Sequence, residues 1–215
     1  MIKAYIFDLD GTLVNSLQDL ADSVNKGLVK ANLPTQPLDN FKNFIGNGRD
    51  VLIHKAMGCA YDDTNLREVV RSTFDTEYAM HSMDNTDSYQ GISEVLGELL
   101  KKGAKIGVLS NKPNEFVANI LQKIFPNIKF TLTWGQQPKY KRKPSGEALT
   151  AMLELMQVDK GDCIYFGDSD VDVYTAQDAD VRMCGVLWGF RTEQELKTAG
   201  ADIIISTPKE ILDLW

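Results

Sequence analysis

Residues 5–16 read YIFDLDGTLVNS, with Asp8 and Asp10 one residue apart where an apolar run meets a glycine. Carboxylates this close repel, and taking them out of water costs free energy unless something positive compensates. Either they are solvated turn residues, or a cation belongs between them. Other chemistry-bearing groups follow in order: Gly11 and Thr12, then Ser110, Asn111 and Lys112, then Lys143 within KRKPSG, then Gly167, Asp168, Ser169, Asp170 and Asp172. The set comprises carboxylates, a hydroxyl, amide donors and a lysine. That combination suits an oxygen-ligated Mg²⁺ and a phosphate.

The elements that must position these groups are short apolar runs of strand length at 4–7, 105–109, 130–134, 163–166, 184–187 and 203–205. Helix-like segments at 92–102, 114–124, 145–157 and 171–179 alternate with them, which predicts βα units and a mainly parallel sheet covered on both faces. Ligands of such a sheet bind outside the carboxyl ends of its strands, where the groups above fall. Residues 16 to 84 break the alternation. Helical spacing runs through Leu17, Leu20, Ala21, Val24, Leu28 and Ala31, then over 49–57 and 64–80, while Pro34 and Pro37 mark a loop. The return segment SMDNTDSYQG, 82–91, is rich in turn-formers and reads as a hinge. The fold class predicted is α/β, a Rossmann-like parallel core with a helical insertion after its first strand.

Composition narrows the partners. Of 215 residues, 43% are hydrophobic and 25% charged, ordinary for a globular chain. A net charge of −7 disfavours a groove for nucleic acid, which needs a positive surface. Cys59, Cys163 and Cys184 are odd in number and form no CxxC pair, so neither a disulfide framework nor a zinc site is suggested. The N-terminus lacks a signal-peptide pattern and no apolar run reaches the roughly 20 residues that span a bilayer. The expectation is a cytoplasmic protein without membrane or nucleic-acid partners; monomer and homodimer both stay open.

Taken in order, DLDGT, LSNK, a lysine before a proline, and GDSDVD resemble the four motifs of the haloacid dehalogenase superfamily of phosphohydrolases. The resemblance covers essentially the whole chain, and an insertion directly after the first motif is similar to that superfamily's first class of cap. IGNGRDVL (45–52), SNKP (110–113) and VLWGFRTEQEL (186–196) resemble the phosphoglycolate phosphatase subfamily, though less specifically. Asn15 departs from an acid usual in close relatives, and Ser145-Gly146 from a frequent residue-proline pair.

The resemblance implies a core at 1–14 and 86–215, with a cap at 15–85. It makes Asp8 the nucleophile and Asp10 the general acid and base. Side chains two residues apart in an extended segment point the same way, as this division of labour needs. Mg²⁺ would be held by Asp8, by the backbone carbonyl of Asp10 and by Asp168, with Asp172 orienting that shell from behind. Thr12, Ser110, Asn111 and Lys143 would hold the phosphoryl group. The substrate implied is a small phosphorylated metabolite, 2-phosphoglycolate foremost, with a sugar phosphomutase or a pyrophosphatase as rivals on the same scaffold. A dehalogenase has no need of Asp10 and Asp168. A receiver module phosphorylated on aspartate has no use for the insertion, and the intact acids argue against a silent binding protein. In the insertion, Gly46-Asn47-Gly48 is either a turn facing the site or a plain interhelical turn; Arg49 is either a partner for a substrate carboxylate or a solvent-facing arginine.

Overall fold

The computed structural model describes residues 2–214. The chain divides into two compact units: one runs to Val14 and resumes at Ser88, the other is Asn15–Asp87. The first begins with β1 (Ala4–Phe7), followed by a short β2 (Val14–Asn15) where the chain leaves it. The second holds α1 (Leu17–Lys30), α2 (Leu38–Phe44), α3 (Arg49–Met57) and α4 (Thr64–His81). The chain returns through β3 (Asp87–Ser88), which pairs with β2. Then come α5 (Ile92–Lys101), β4 (Lys105–Pro113), α6 (Asn114–Ile124), β5 (Leu132–Gln136), α7 (Glu147–Met156), β6 (Cys163–Gly167), α8 (Asp170–Ala179), β7 (Arg182–Val186), α9 (Glu193–Ala199) and β8 (Ile203–Ile205).

Six strands form one parallel sheet in the order β5-β4-β1-β6-β7-β8. The chain winds outward from β1 in one direction and then, from β6, in the other, so the Rossmann-like core predicted from the alternation is present. β1 is the switch point of the sheet. It is buried along its whole length, as a central parallel strand covered on both faces must be. Its register sets Phe7 beside Val108 on one side and Phe166 on the other. Phe7 and Phe166 stack with centroids 4.7 Å apart. The residues just past this level, Asp8, Leu109 and Gly167, therefore share one end of the sheet. One face is closed by Leu149, Met152 and Leu153 of α7 with Val173 and Ala176 of α8.

Two strands sit a little off the expected positions: the third core strand is Leu132–Gln136 and the fifth Arg182–Val186. β4 also runs four residues past the apolar stretch, through Ser110, Asn111 and Lys112 to Pro113.

In the helical unit, α1 packs along α4, burying Leu20, Val24 and Leu28 of the one and Val70, Phe74 and Tyr78 of the other. α2 follows the loop marked by Pro34 and Pro37, at a position where no helix was singled out. Its sequence LDNFKNF buries Phe41 alone, too little for a periodic signal. The return segment is tied down rather than loose: the buried Asp19 carboxylate accepts from the backbone N–H groups of Asn85 and Thr86, from the Asn85 amide and from the Thr86 hydroxyl at 2.7–3.1 Å. Cys163 and Cys184 are buried, with burial pushing both thiols up to about 12, which fits a core role. Among the described residues, no helix is long and apolar enough to cross a membrane.

Candidate active site

At the carboxyl end of β1 and β6 the sequence GDSDVD turns directly into α8. Ser169 is its N-cap, and the Asp172 carboxylate reaches back to accept from the Ser169 hydroxyl at 2.6 Å and its N–H at 3.2 Å. The other Asp172 oxygen accepts from the Lys143 ammonium at 2.7 Å and the Tyr165 hydroxyl at 3.0 Å. Both oxygens are thus occupied by the protein, and Asp172 is fully buried. Lys143 also lies 2.8 Å from Asp8 Oδ1 and 3.0 Å from the Tyr165 hydroxyl. Burial pulls the lysine's pKa down, but the charges of Asp172 and Asp8 outweigh it and hold the ammonium well above its ordinary value. Lys143 is a buried cation in a nest of acids.

Asp8, Asp168 and Asp172 each offer a carboxylate oxygen within 4.8 Å of the others. Burial, with repulsion from Asp172 and Asp168, pushes Asp8 up to about 8 against the pull of Lys143. Burial and Asp172 push Asp168 up to about 7, against the Phe190 N–H, Arg191 and Lys143. These carboxyls resist ionisation until more positive charge arrives. Asp8 Oδ1 is buried and, despite its closeness to Lys143, makes no aligned hydrogen bond among the described residues. A hard, oxygen-seeking cation fits this donor set, with few carboxylates around it.

The second strand end owes its shape to a register break. From Leu109 to Pro113 β4 advances four residues while β5 advances two, from Trp134 to Gln136. The surplus residues bulge out of the ladder, a device that re-aims side chains beside active sites. Gly135 permits it, because a Cβ there would collide with the Lys112 carbonyl and the Asn114 backbone. Within the bulge Ser110 Oγ accepts from the Lys112 N–H at 3.2 Å, which leaves its own proton to donate elsewhere. Lys112 Nζ donates to both oxygens of Asp10, at 2.8 and 3.1 Å.

The side chains of two residues expected at the phosphate also make hydrogen bonds within the protein. The Asn111 amide forms a reciprocal pair with the Lys143 backbone, accepting from its N–H at 2.9 Å and donating to its carbonyl at 3.0 Å. It holds the lysine's chain in place. The Thr12 hydroxyl, fully buried, donates to Asp168 Oδ1 at 3.3 Å, since the turn after β1 folds under the β6 end. Arg49 likewise does not stand free to meet a substrate carboxylate. One of its terminal nitrogens donates to both oxygens of Asp75 at 2.8 Å, and its Nε to Asp50 at 3.3 Å.

The loop after β7 completes the site. Trp188 Nε1 donates to the Thr12 carbonyl at 2.9 Å, and the Phe190 N–H to Asp168 Oδ2 at 2.7 Å. Tyr89 was not singled out in the sequence. Burial, with the charges of Asp168 and Asp10, holds its phenol neutral. Gly189 lets the 188–190 loop approach, because an added Cβ would overlap Asp168 Cβ and the Gly11 carbonyl oxygen. Gly189→Ala is expected to cost about 1–3 kcal/mol or more by overpacking, against atoms that cannot swing away. Thermal melting should fall by several degrees and activity at saturating substrate by at least about tenfold; an unchanged melt and rate would show that the loop yields.

The family model for haloacid dehalogenase-like hydrolases matches residues 5–186. A phosphoglycolate phosphatase of Pectobacterium atrosepticum is 29% identical over 215 residues, 99% of this chain and 92% of that protein. One of Vibrio parahaemolyticus is 28% identical over 99% of this chain and 96% of its own. The crystal structure of a predicted phosphoglycolate phosphatase from Haemophilus somnus superposes with a TM-score of 0.92 at 28% identity, covering 99% of this chain and 97% of that one. With four strand ends delivering their motifs to one place, the chain belongs to the haloacid dehalogenase-like hydrolase family and is a phosphatase within it.

Proposed function

We propose that this enzyme hydrolyses a small phosphate monoester through an aspartyl-phosphate on Asp8, with 2-phosphoglycolate as its best substrate. The observation that carries the mechanism is the Asp8 carboxylate, buried at the sheet's switch point with one oxygen 2.8 Å from the Lys143 ammonium. In the first step the Asp8 oxygen bonds to phosphorus as the ester P–O bond breaks, and Asp10 gives its proton to the departing oxygen. In the second, water attacks the phosphoryl group, Asp10 takes the proton from that water, and the Asp8–phosphate bond breaks. Asp10 ends each cycle protonated again. Lys143 and the Ser110 hydroxyl hold phosphoryl oxygens and offset their charge. The Asn111 side chain contributes through Lys143, and Thr12 through Asp168.

Asp8, Asp168 and the Asp10 backbone carbonyl would hold Mg²⁺, with Asp172 behind them. When bound, the cation offsets the repulsion between carboxylates and phosphate. The helical unit Asn15–Asp87 would act as a cap that chooses the leaving group, because the strand ends carry nothing to recognise an organic moiety.

A panel of phosphorylated metabolites, assayed with Mg²⁺ and after EDTA, tests this. The highest kcat/KM is expected on 2-phosphoglycolate, with at least about a hundredfold loss on chelation that Mg²⁺ restores. A higher value on another small phosphate replaces the substrate, and a rate indifferent to EDTA removes the metal.

A further inference from the structure

Each reactive aspartate has its own lysine. Lys143 lies beside Asp8; Lys112, although it falls within LSNK, is given no role by the resemblance. Its Nζ sits 2.8 and 3.1 Å from the two Asp10 oxygens, and the side chains are only 4% and 12% exposed. A buried ion pair is a poor way to gain stability, since desolvation consumes most of the attraction. Here the sheet also gives up regular pairing with β5 to bring Lys112 into place. An arrangement that gains so little stability and disturbs a central strand is explained by what it does to Asp10.

We propose that Lys112 is a positioning residue for Asp10: its ammonium, gripping both carboxyl oxygens, holds the acid–base group in one orientation for proton delivery to the leaving oxygen and proton removal from water. The inference rests on the acid–base reading of Asp10 given above. An ammonium donates hydrogen bonds to a carboxyl in either protonation state, so the grip persists as Asp10 loses its proton to the leaving oxygen and regains one from water. Two oxygens held from one side leave the carboxyl little freedom to rotate, and orientation of this kind is worth large factors in rate.

The signature is dependence on the leaving group. An alkyl phosphate needs a proton as its P–O bond breaks, whereas 2,4-dinitrophenyl phosphate releases an anion that leaves unaided. Lys112→Met should therefore lower the single-turnover rate of Asp8 phosphorylation at least about tenfold more with an alkyl phosphate than with the dinitrophenyl ester. In an Asp10→Asn background the same change should leave that difference almost absent, and Lys112→Arg should restore part of it. A purely structural lysine would lower both esters by one factor, and this result overturns the inference, as does an equal Lys112→Met effect with and without Asp10. If the mechanism itself is wrong, the wild-type enzyme will show no Asp8-dependent phosphorylation with either ester. The two failures are thus distinct. Should Lys112→Met fold poorly, Lys112→Gln keeps a donor on a shorter stem and is read by the same ratio.

Discussion

Asp8→Asn is expected to give a folded protein whose turnover falls by at least about 10³-fold, because the amide keeps the shape of the carboxylate but is no nucleophile. Stability should hold or rise. The wild-type carboxyl is buried and repelled by Asp172 and Asp168, and the amide removes that repulsion. Lys143 keeps its 2.7 Å partner Asp172. Steady-state kinetics in a preparation shown free of contaminating phosphatase, together with a thermal melt, decide the matter. A rate within tenfold of wild type would mean that the phosphoryl group is carried elsewhere. A melt lowered by many degrees would mean that Asp8 serves the fold.

Lys143→Met should lose both activity and stability. The side chain is 2% exposed, with Asp8 and Asp172 at 2.8 and 2.7 Å. Removing the cation from such a cluster leaves uncompensated buried charge, at a cost of about 3–5 kcal/mol. For a chain of this length that corresponds to a fall of roughly 10 °C in Tm, measured in EDTA so that no bound cation intervenes. Asp172→Asn added to Lys143→Met should recover part of the loss, since the penalty lies in the orphaned acid. Without that recovery the lysine's stem, not its charge, supports the fold. Activity with any ester should drop by at least about 10²-fold, because on the proposed mechanism the phosphoryl oxygens lose the ammonium that offsets their charge.

The parts of this molecule legible in the sequence are those governed by local chemistry. Apolar runs mark β1, β4 and β6, and the polar groups at their ends lie at one end of the sheet because parallel strands must align that way. What escaped depends on residues distant in the chain. The β4 bulge exists only relative to Trp134 and Gln136, so no reading of LSNKP alone could locate it. The Lys112–Asp10 pair joins positions 102 apart. The bonds of Thr12 to Asp168 and of Asn111 to the Lys143 backbone were not legible either, since the same groups suit a phosphate and residue type does not specify such partners. Arg49 shows this again: Asp75 claims it from 26 residues away.

The bulge in β4 also limits how this enzyme can be improved. A designer seeking a more robust sheet would straighten β4, restore the ladder to β5 and replace Gly135 with a β-branched residue, each change sound by the ordinary rules of strand stability. Together they would return Ser110 and Lys112 to a flat pleat and withdraw them from Asp8 and Asp10. On the proposed mechanism the irregular stretch is a toll on stability that the chemistry requires. Stabilising substitutions belong on β7, β8 and the outer helices, where a regular strand or a fuller core takes nothing from the four aspartates.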